Sequence, residues 1–233
     1  MTRSTRSDQG RQRDRNEDYG YSFKLDDVFG LVVADGLGGH NAGHVASEVA
    51  AKTFGESFQQ LNSGDLDRET IQMCFEDAED AVHRKMRENP DEFDGMGSTL
   101  VTAVIKDETA LVGNAGDSRA YLVNDNDINQ ITDDHVETQH HGMAGHRRKS
   151  SYLYNVVGGR DDEIQVDTFE LNLSQDDLLL LCTDGLTDEL GDDRIQKVVA
   201  KADSVSDASR ELVDYANRCG GSDNITVALY TLN

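Results

Sequence analysis

Apolar residues recur along this chain with two different periods. Val45, Val49, Ala50, Phe54, Phe58 and Leu61 form a stripe at helical spacing, so 45–61 is expected to be a helix packed on one face. Ile71, Cys74, Phe75, Ala78, Val82 and Met86 mark the buried side of a second helix, with Asp67 placed to cap its start. A third carries Ala208, Leu212, Tyr215, Ala216 and Cys219 on one side and stops at Gly220-Gly221. Between the helices lie short β-type runs: Phe29 to Ala34, Thr99 to Ile105, Ala110 to Val112, Ala120 to Val123, Leu178 to Cys182 and Ile225 to Tyr230. Several of these runs are joined by a few polar residues, too few for the crossover that parallel neighbours require, so the sheet is expected to be mostly antiparallel and the class α+β. The stretch from His135 to Ser151 keeps neither period and is expected to be a long surface loop.

Pro90 is the sole proline, and no Ser/Gly-rich linker breaks the pattern, so one domain over 1–233 is expected. Leu178 to Cys182, the longest apolar run near the chain end, falls far short of the roughly 20 residues that span a bilayer. Met1 to Gly10 carries no apolar segment, so no secretory signal is read and the cytoplasm is the expected location. Cys74, Cys182 and Cys219 form no C-x-x-C pair and read as small buried hydrophobes. Charge adds an exclusion: 45 acids against 22 bases give a net charge of -23, which repels nucleic acid and anionic membrane, so neither is expected as a partner. The acids are 31 Asp and 14 Glu, and only 7 of the bases are Lys, a balance that suggests a surface kept soluble in strong salt.

Candidate chemistry lies where apolar runs break off at an acid. Val32-Val33-Ala34 ends in Asp35-Gly36-Leu37, and Leu181-Cys182-Thr183 ends in Asp184-Gly185-Leu186, the same arrangement 149 residues later. Ala110-Leu111-Val112 leads through Gly113-Asn114-Ala115-Gly116 to Asp117, and Asp223-Asn224 stands just before the last strand. With Glu17 and Asp18 the candidate carboxylates number six. Any one Asp-Gly is an ordinary turn dipeptide. Together at strand ends, however, such groups would repel one another by several kcal/mol at low dielectric unless cations lay between them. A set of oxygen ligands without Cys or His selects hard ions such as Mg²⁺ or Mn²⁺, and a pair of these can activate water for attack on phosphorus. Arg13, four residues before Glu17, offers a bidentate fork for a phosphate, or belongs to a solvated basic arm with Arg11 and Arg15.

These residues resemble the protein phosphatase 2C family of Mg²⁺/Mn²⁺-dependent Ser/Thr phosphatases, from about Ser7 to Leu232 and in family order. The matching stretches are Arg13-x-x-Asn16-Glu17-Asp18, Val33 to His40, Gly97-Ser98-Thr99-Leu100, Gly113 to Ala120, Thr183 to Asp188 and Gly221 to Thr226. The resemblance implies a four-layer αββα sandwich, two mostly antiparallel sheets face to face and flanked by helices. It implies two ions, Mn²⁺ or Mg²⁺, with Asp35 bridging both. The Gly36 carbonyl, Asp184 and Asp223 would complete one ion and Glu17 the other, while Asp18 and Asn224 support the ligands from behind. Asp117 and Asp188 fall where relatives hold a third, weaker ion, and Arg13 would bind the phosphate. A phosphorylated protein would be the substrate, a Ser/Thr kinase pathway its source, and a monomer the acting form.

Two departures accompany the match. Many members place His directly after the first Asp-Gly as an acid for the leaving group, where this chain has Leu37, so His40 is the tentative acid. A flap-like loop at about 135–157 is also shorter than in typical bacterial members. Two rivals fail on residues: a dinucleotide site wants Gly where Asn41 stands, and a zinc site on His40 and His44 has no third clear ligand. The alternative from another class is a phosphoprotein-binding regulatory module of the same fold with little or no turnover.

Overall fold

The computed structural model describes residues 2–38, 42–61, 66–141, 148–159 and 164–232, with the backbone alone over 139–141 and 148–151. The chain begins with strands β1 (Arg3–Asp8), β2 (Tyr19–Leu25), β3 (Val28–Ala34) and β4 (Gly36–Leu37). Helices α1 (Gly43–Leu61), α2 (Arg68–Glu88) and α3 (Pro90–Phe93) follow, then β5 (Gly97–Ser98), β6 (Leu100–Lys106), β7 (Thr109–Ala115), β8 (Arg119–Val123) and β9 (Ile128–Gln130). Next come β10 (Val136–His141), β11 (Arg148–Leu153), β12 (Asp167–Asn172) and β13 (Leu178–Cys182). Helices α4 (Asp184–Thr187), α5 (Asp192–Val199) and α6 (Val205–Cys219) precede the last strand, β14 (Ile225–Thr231).

Two five-stranded sheets result, ordered β1-β14-β13-β8-β9 and β12-β7-β6-β3-β2, and every described strand pair in them is antiparallel. Their central strands read as continuous apolar runs because both faces are covered. Along β3, Leu31 and Val33 join the core between the sheets while Val32 and Ala34 face α1 and α2. Along β13, Leu179 and Leu181 enter that middle core while Leu180 and Cys182 pack under α5 and α6. Three cores thus separate four layers, and each Leu or Val so buried contributes about 1.5–3 kcal/mol. Phe54 of α1 and Phe75 of α2 meet edge to face, centroids 5.5 Å apart, which locks the two helices over the second sheet.

Local signals set the helix ends. Asp67 accepts the Thr70 N–H at 2.7 Å at the start of α2, as its position in the sequence suggests. Ser204 does the same for the Asp207 N–H at 3.1 Å at the start of α6. Three expectations need correction. Residues 135–151 are not all loop: β10 and β11 pair in register, Val136 with Leu153 through His141 with Arg148. That ribbon joins neither main sheet, so no core underlies it to impose an alternating pattern. Cys219 is exposed, unlike buried Cys74 and Cys182. It lies one turn beyond half-exposed Tyr215 on the flank of α6, where Arg194 reaches both the Tyr215 ring and the Cys219 sulfur. Leu61, at the end of α1, is likewise exposed. Among the described residues no helix is long and apolar enough to cross a membrane.

Candidate metal centre

Strand register brings the acids to one end of the sandwich. In the second sheet Tyr19 faces Ala34 and Leu100 faces Ala115, so Glu17-Asp18, Asp35 and Gly116-Asp117 emerge side by side. In the first, Cys182 faces both Arg119 and Val227, which places Asp184, the 117–118 turn and Asp223-Asn224 together.

Backbone contacts then fix each acid. Asp35 donates its N–H to Thr99 Oγ1 at 2.9 Å, and its carbonyl accepts from the Thr99 N–H and the Ser98 hydroxyl, each at 2.9 Å. Asp18 is buried and accepts from Thr183 Oγ1 at 2.9 Å, while Thr183 Oγ1 takes the Thr226 N–H at 3.0 Å. Asn224 uses its whole amide on the loop before β2. It donates to the Gln9 and Arg15 carbonyls at 2.8 Å each and accepts the Glu17 N–H at 2.8 Å. That loop carries Arg13 and Glu17, so Asn224 sets their positions.

Glycines permit the close approach. A Cβ on Gly185 would lie 1.9 Å from the Asn224 carbonyl oxygen, so the first turn of α4 rests directly on the backbone bearing Asp223. A Cβ on Gly43 would meet the Gly36 carbonyl oxygen at 2.7 Å and the Glu17 carboxyl carbon at 3.1 Å, so two of the expected oxygen donors converge at the start of α1.

Electrostatics records the crowding. Burial, and then Asp18, Asp184, Asp223 and Asp117, push the Asp35 carboxyl well above its ordinary range. Asp184 rises to about 7 through burial and then Asp117, Asp223 and Asp188, with Asp35 close enough to share a hydrogen bond. Asp18 also rises to about 7, chiefly through burial, against the hydrogen bonds from Thr226 and Thr183. Asp117 is raised by burial and Asp134, and Asp188, at the surface, by partial desolvation and Asp223. Arg13 is half exposed and paired with Asp223. Burial works against its charge, but Asp223, Asp35 and Asp184 together hold it more firmly protonated.

Asp18 Oδ1 and Asp184 Oδ1 are buried without any hydrogen-bond partner. Orphaned carboxylate oxygens in a crowd of acids fit divalent cations. Among the described residues no three of these groups are drawn tightly enough to enclose an ion as they stand. Arg13, paired with Asp223, sets one positive charge against this cluster. The residues therefore suit cations by chemistry and by burial.

Of the expected site residues, Arg13, Glu17, Asp18, Asp35, Gly36, Asp117, Asp184, Asp188, Asp223 and Asn224 all gather at this end. Leu37 lies in β4 opposite Gly97. His40 lies outside the described residues. Sequence reasoning gave no role to Ser98, Thr99 or Thr183, whose hydroxyls hold Asp35 and Asp18, nor to His135. Their signal is a hydroxyl residue next to the end of a β run, too common to single out alone.

The fold and the acid cluster together define a phosphohydrolase of the metal-dependent, two-sheet kind. The family model for protein phosphatase 2C matches residues 8–225, and the chain belongs to that family. Serine/threonine phosphatase stp of Listeria welshimeri is 34% identical over 241 residues, covering 98% of this chain and 94% of the relative. Protein phosphatase PhpP of Streptococcus pneumoniae is 32% identical over 246 residues, covering 100% and 98%. Among solved structures, the catalytic domain of serine threonine protein phosphatase PstP in complex with 2 manganese ions superposes with a TM-score of 0.80 at 27% identity, covering 98% of this chain and 96% of that one.

Proposed function

We propose that this chain hydrolyses phosphoserine and phosphothreonine monoesters on proteins with the help of bound divalent cations. The observation that carries the reading is the convergence of Asp35, Asp184 and Asp223 at one end of the sandwich, where burial and neighbouring acids raise the Asp35 and Asp184 carboxyls and Asp184 Oδ1 is buried without a partner. Family membership and the two manganese ions of PstP support it.

Asp35, the Gly36 carbonyl, Asp184 and Asp223 would hold one Mn²⁺ or Mg²⁺ ion, Asp35 and Glu17 a second, and Asp117 with Asp188 a third. Bound there, the ions would supply charge neutralisation and Lewis-acid activation of water. Ser98 and Thr99 keep the Asp35 backbone in place, so only its side chain has to adjust to an ion. Thr183 holds Asp18 beneath Asp184, adding a buried acid whose charge favours cation binding. Arg13, carried on the loop that Asn224 fixes, would leave Asp223 for the phosphate dianion and hold two of its oxygens. With Leu37 after the first Asp-Gly, proton delivery to the leaving alkoxide falls to His40 or to solvent. We further propose one catalytic unit over 1–233, acting as a monomer in the cytoplasm on proteins phosphorylated by Ser/Thr kinases.

Phosphate release from a phosphothreonine peptide tests this. Release with Mn²⁺, loss on chelation, and a fall of at least about a hundredfold in Asp184→Asn are expected. Peptide binding without release would instead identify a regulatory module.

A further inference from the structure

His135 is buried, 5% exposed, and the proposed chemistry leaves it without a task. Its Nδ1 accepts from two donors, the Gly116 N–H at 3.1 Å and Asn155 Nδ2 at 2.7 Å. The Asn155 amide orientation is fixed independently, since it donates to the Gln165 carbonyl at 2.7 Å and accepts the Gln165 N–H at 3.2 Å. Two donors on Nδ1 leave no room for a proton there, so the proton sits on Nε2, which donates to Asp167 Oδ2 at 3.0 Å. The backbone closes the same contact from the other side: the His135 N–H donates to the Gly116 carbonyl at 3.0 Å.

Gly116 immediately precedes Asp117 and has a φ of 119°, a left-handed conformation reserved for glycine, with Thr99 packed where a Cβ would stand. Such a turn needs external partners to stay fixed. The adjacent Asp134 grips its far end through a two-point ion pair with Arg119, at 2.8 and 2.6 Å. Consecutive residues Asp134 and His135 thus hold both ends of the turn that presents Asp117. The same imidazole lies at the root of the β10–β11 ribbon, where the Tyr154 N–H donates to the His135 carbonyl at 3.1 Å.

We infer that His135 is the positioning residue of the Asp117 turn, and that its unprotonated Nδ1, as the acceptor for the Gly116 amide, sets cation affinity at Asp117. The inference rests on the reading of Asp117 and Asp188 as a third cation site. A role in packing alone makes the opposite forecast for two substitutions. Asn places an oxygen where Nδ1 stands but fills less space; Gln fills more space and reaches toward Asp167 but offers Gly116 no acceptor.

Calorimetric titration of the metal-free protein with Mn²⁺ separates these. For His135→Asn, the weakest site is expected within about threefold of the unsubstituted protein, and for His135→Gln weaker by about tenfold, with the tighter sites unchanged in both. Hydrogen exchange at the Gly116 amide in chelator-treated protein, which needs no cation, should stay slow in the Asn variant and quicken by about tenfold in the Gln variant. Gln matching or exceeding Asn in either measurement overturns the inference. Failure of the unsubstituted protein to bind Mn²⁺ at all overturns the catalytic reading as well, and its own titration tells the two failures apart.

Discussion

Replacing Gly185 by Ala adds one methyl group where the structure has least room for it. Its Cβ would sit 1.9 Å from the Asn224 carbonyl oxygen, 2.9 Å from the Asn224 carbonyl carbon and 3.3 Å from Asp223 Cβ. The first two are backbone atoms at the start of β14, so no rotamer change relieves them, and a non-bonded carbon and oxygen must separate by more than 1 Å. Insertion into a packed site costs about 1–3 kcal/mol, and a rigid neighbour puts this case at the upper end. The helix propensity of Ala over Gly returns about 1 kcal/mol at most. A net loss of about 2 kcal/mol lowers the melting temperature by about 4–8 °C for a domain of this size. Because the displaced atoms belong to Asp223-Asn224, activity should fall more steeply than stability, by about tenfold or more in kcat/KM. Gly191 supplies the control, since a Cβ there meets nothing within 4 Å; as it caps the start of α5, where Ala is the poorer residue, Gly191→Ala should lose no more than about 1 kcal/mol. Thermal melts in chelator, paired with phosphopeptide hydrolysis in Mn²⁺, read both quantities. If Gly185→Ala melts and turns over like Gly191→Ala, the close seat of α4 on Asp223-Asn224 is wrong.

Further outcomes follow from the same geometry. Asp18 and Asp184 titrate near about 7 in the folded chain against the ordinary 3.8, so the native state binds more protons than the unfolded state across that window. Stability of the metal-free protein should therefore fall as pH rises from about 4 to 7, by several kcal/mol, and Mn²⁺ should flatten the decline. Denaturant melts across pH with and without Mn²⁺ check this, and matching slopes in the two series would contradict it. Asn224→Ala removes three hydrogen bonds that hold the loop bearing Arg13 and Glu17, so a loss of about 1–3 kcal/mol is expected, with a raised KM for phosphopeptide in steady-state assays. At a net charge of -23, added KCl should raise the denaturation midpoint by screening self-repulsion, and a midpoint unchanged between low and molar salt would remove the salt-adaptation reading.

Much of the fold was legible where a strand or helix buries a continuous face. Leu178–Cys182 was read to the residue because both of its faces are apolar, and the Asp67 cap was read because its hydrogen bond is local. The strand Tyr19–Leu25 went unread although Tyr19, Tyr21, Phe23 and Leu25 alternate, since the polar residues between them dilute the signal. The pairing of β10 with β11 joins mostly polar residues, with Val136 and Leu153 apolar only at one end, so no hydrophobic period could disclose it. For the site, the acids were legible because Asp-Gly recurs after apolar runs, whereas their supports were not. Thr183 holds Asp18 across 165 residues, and His135 reaches Gly116 across 19, separations that only the sheet register closes. The partnership of Arg13 with Asp223 was hidden for the same reason, the two standing 210 positions apart.

Anomalous diffraction from Mn²⁺-soaked crystals tests the central claim most directly, because its peaks count the ions and name their ligands. The expected map has two strong peaks bridged by Asp35, with Asp184 and Asp223 on one ion and Glu17 on the other, and Arg13 released from Asp223. A map with no peak within coordination distance of Asp35 and Asp184 would contradict the account.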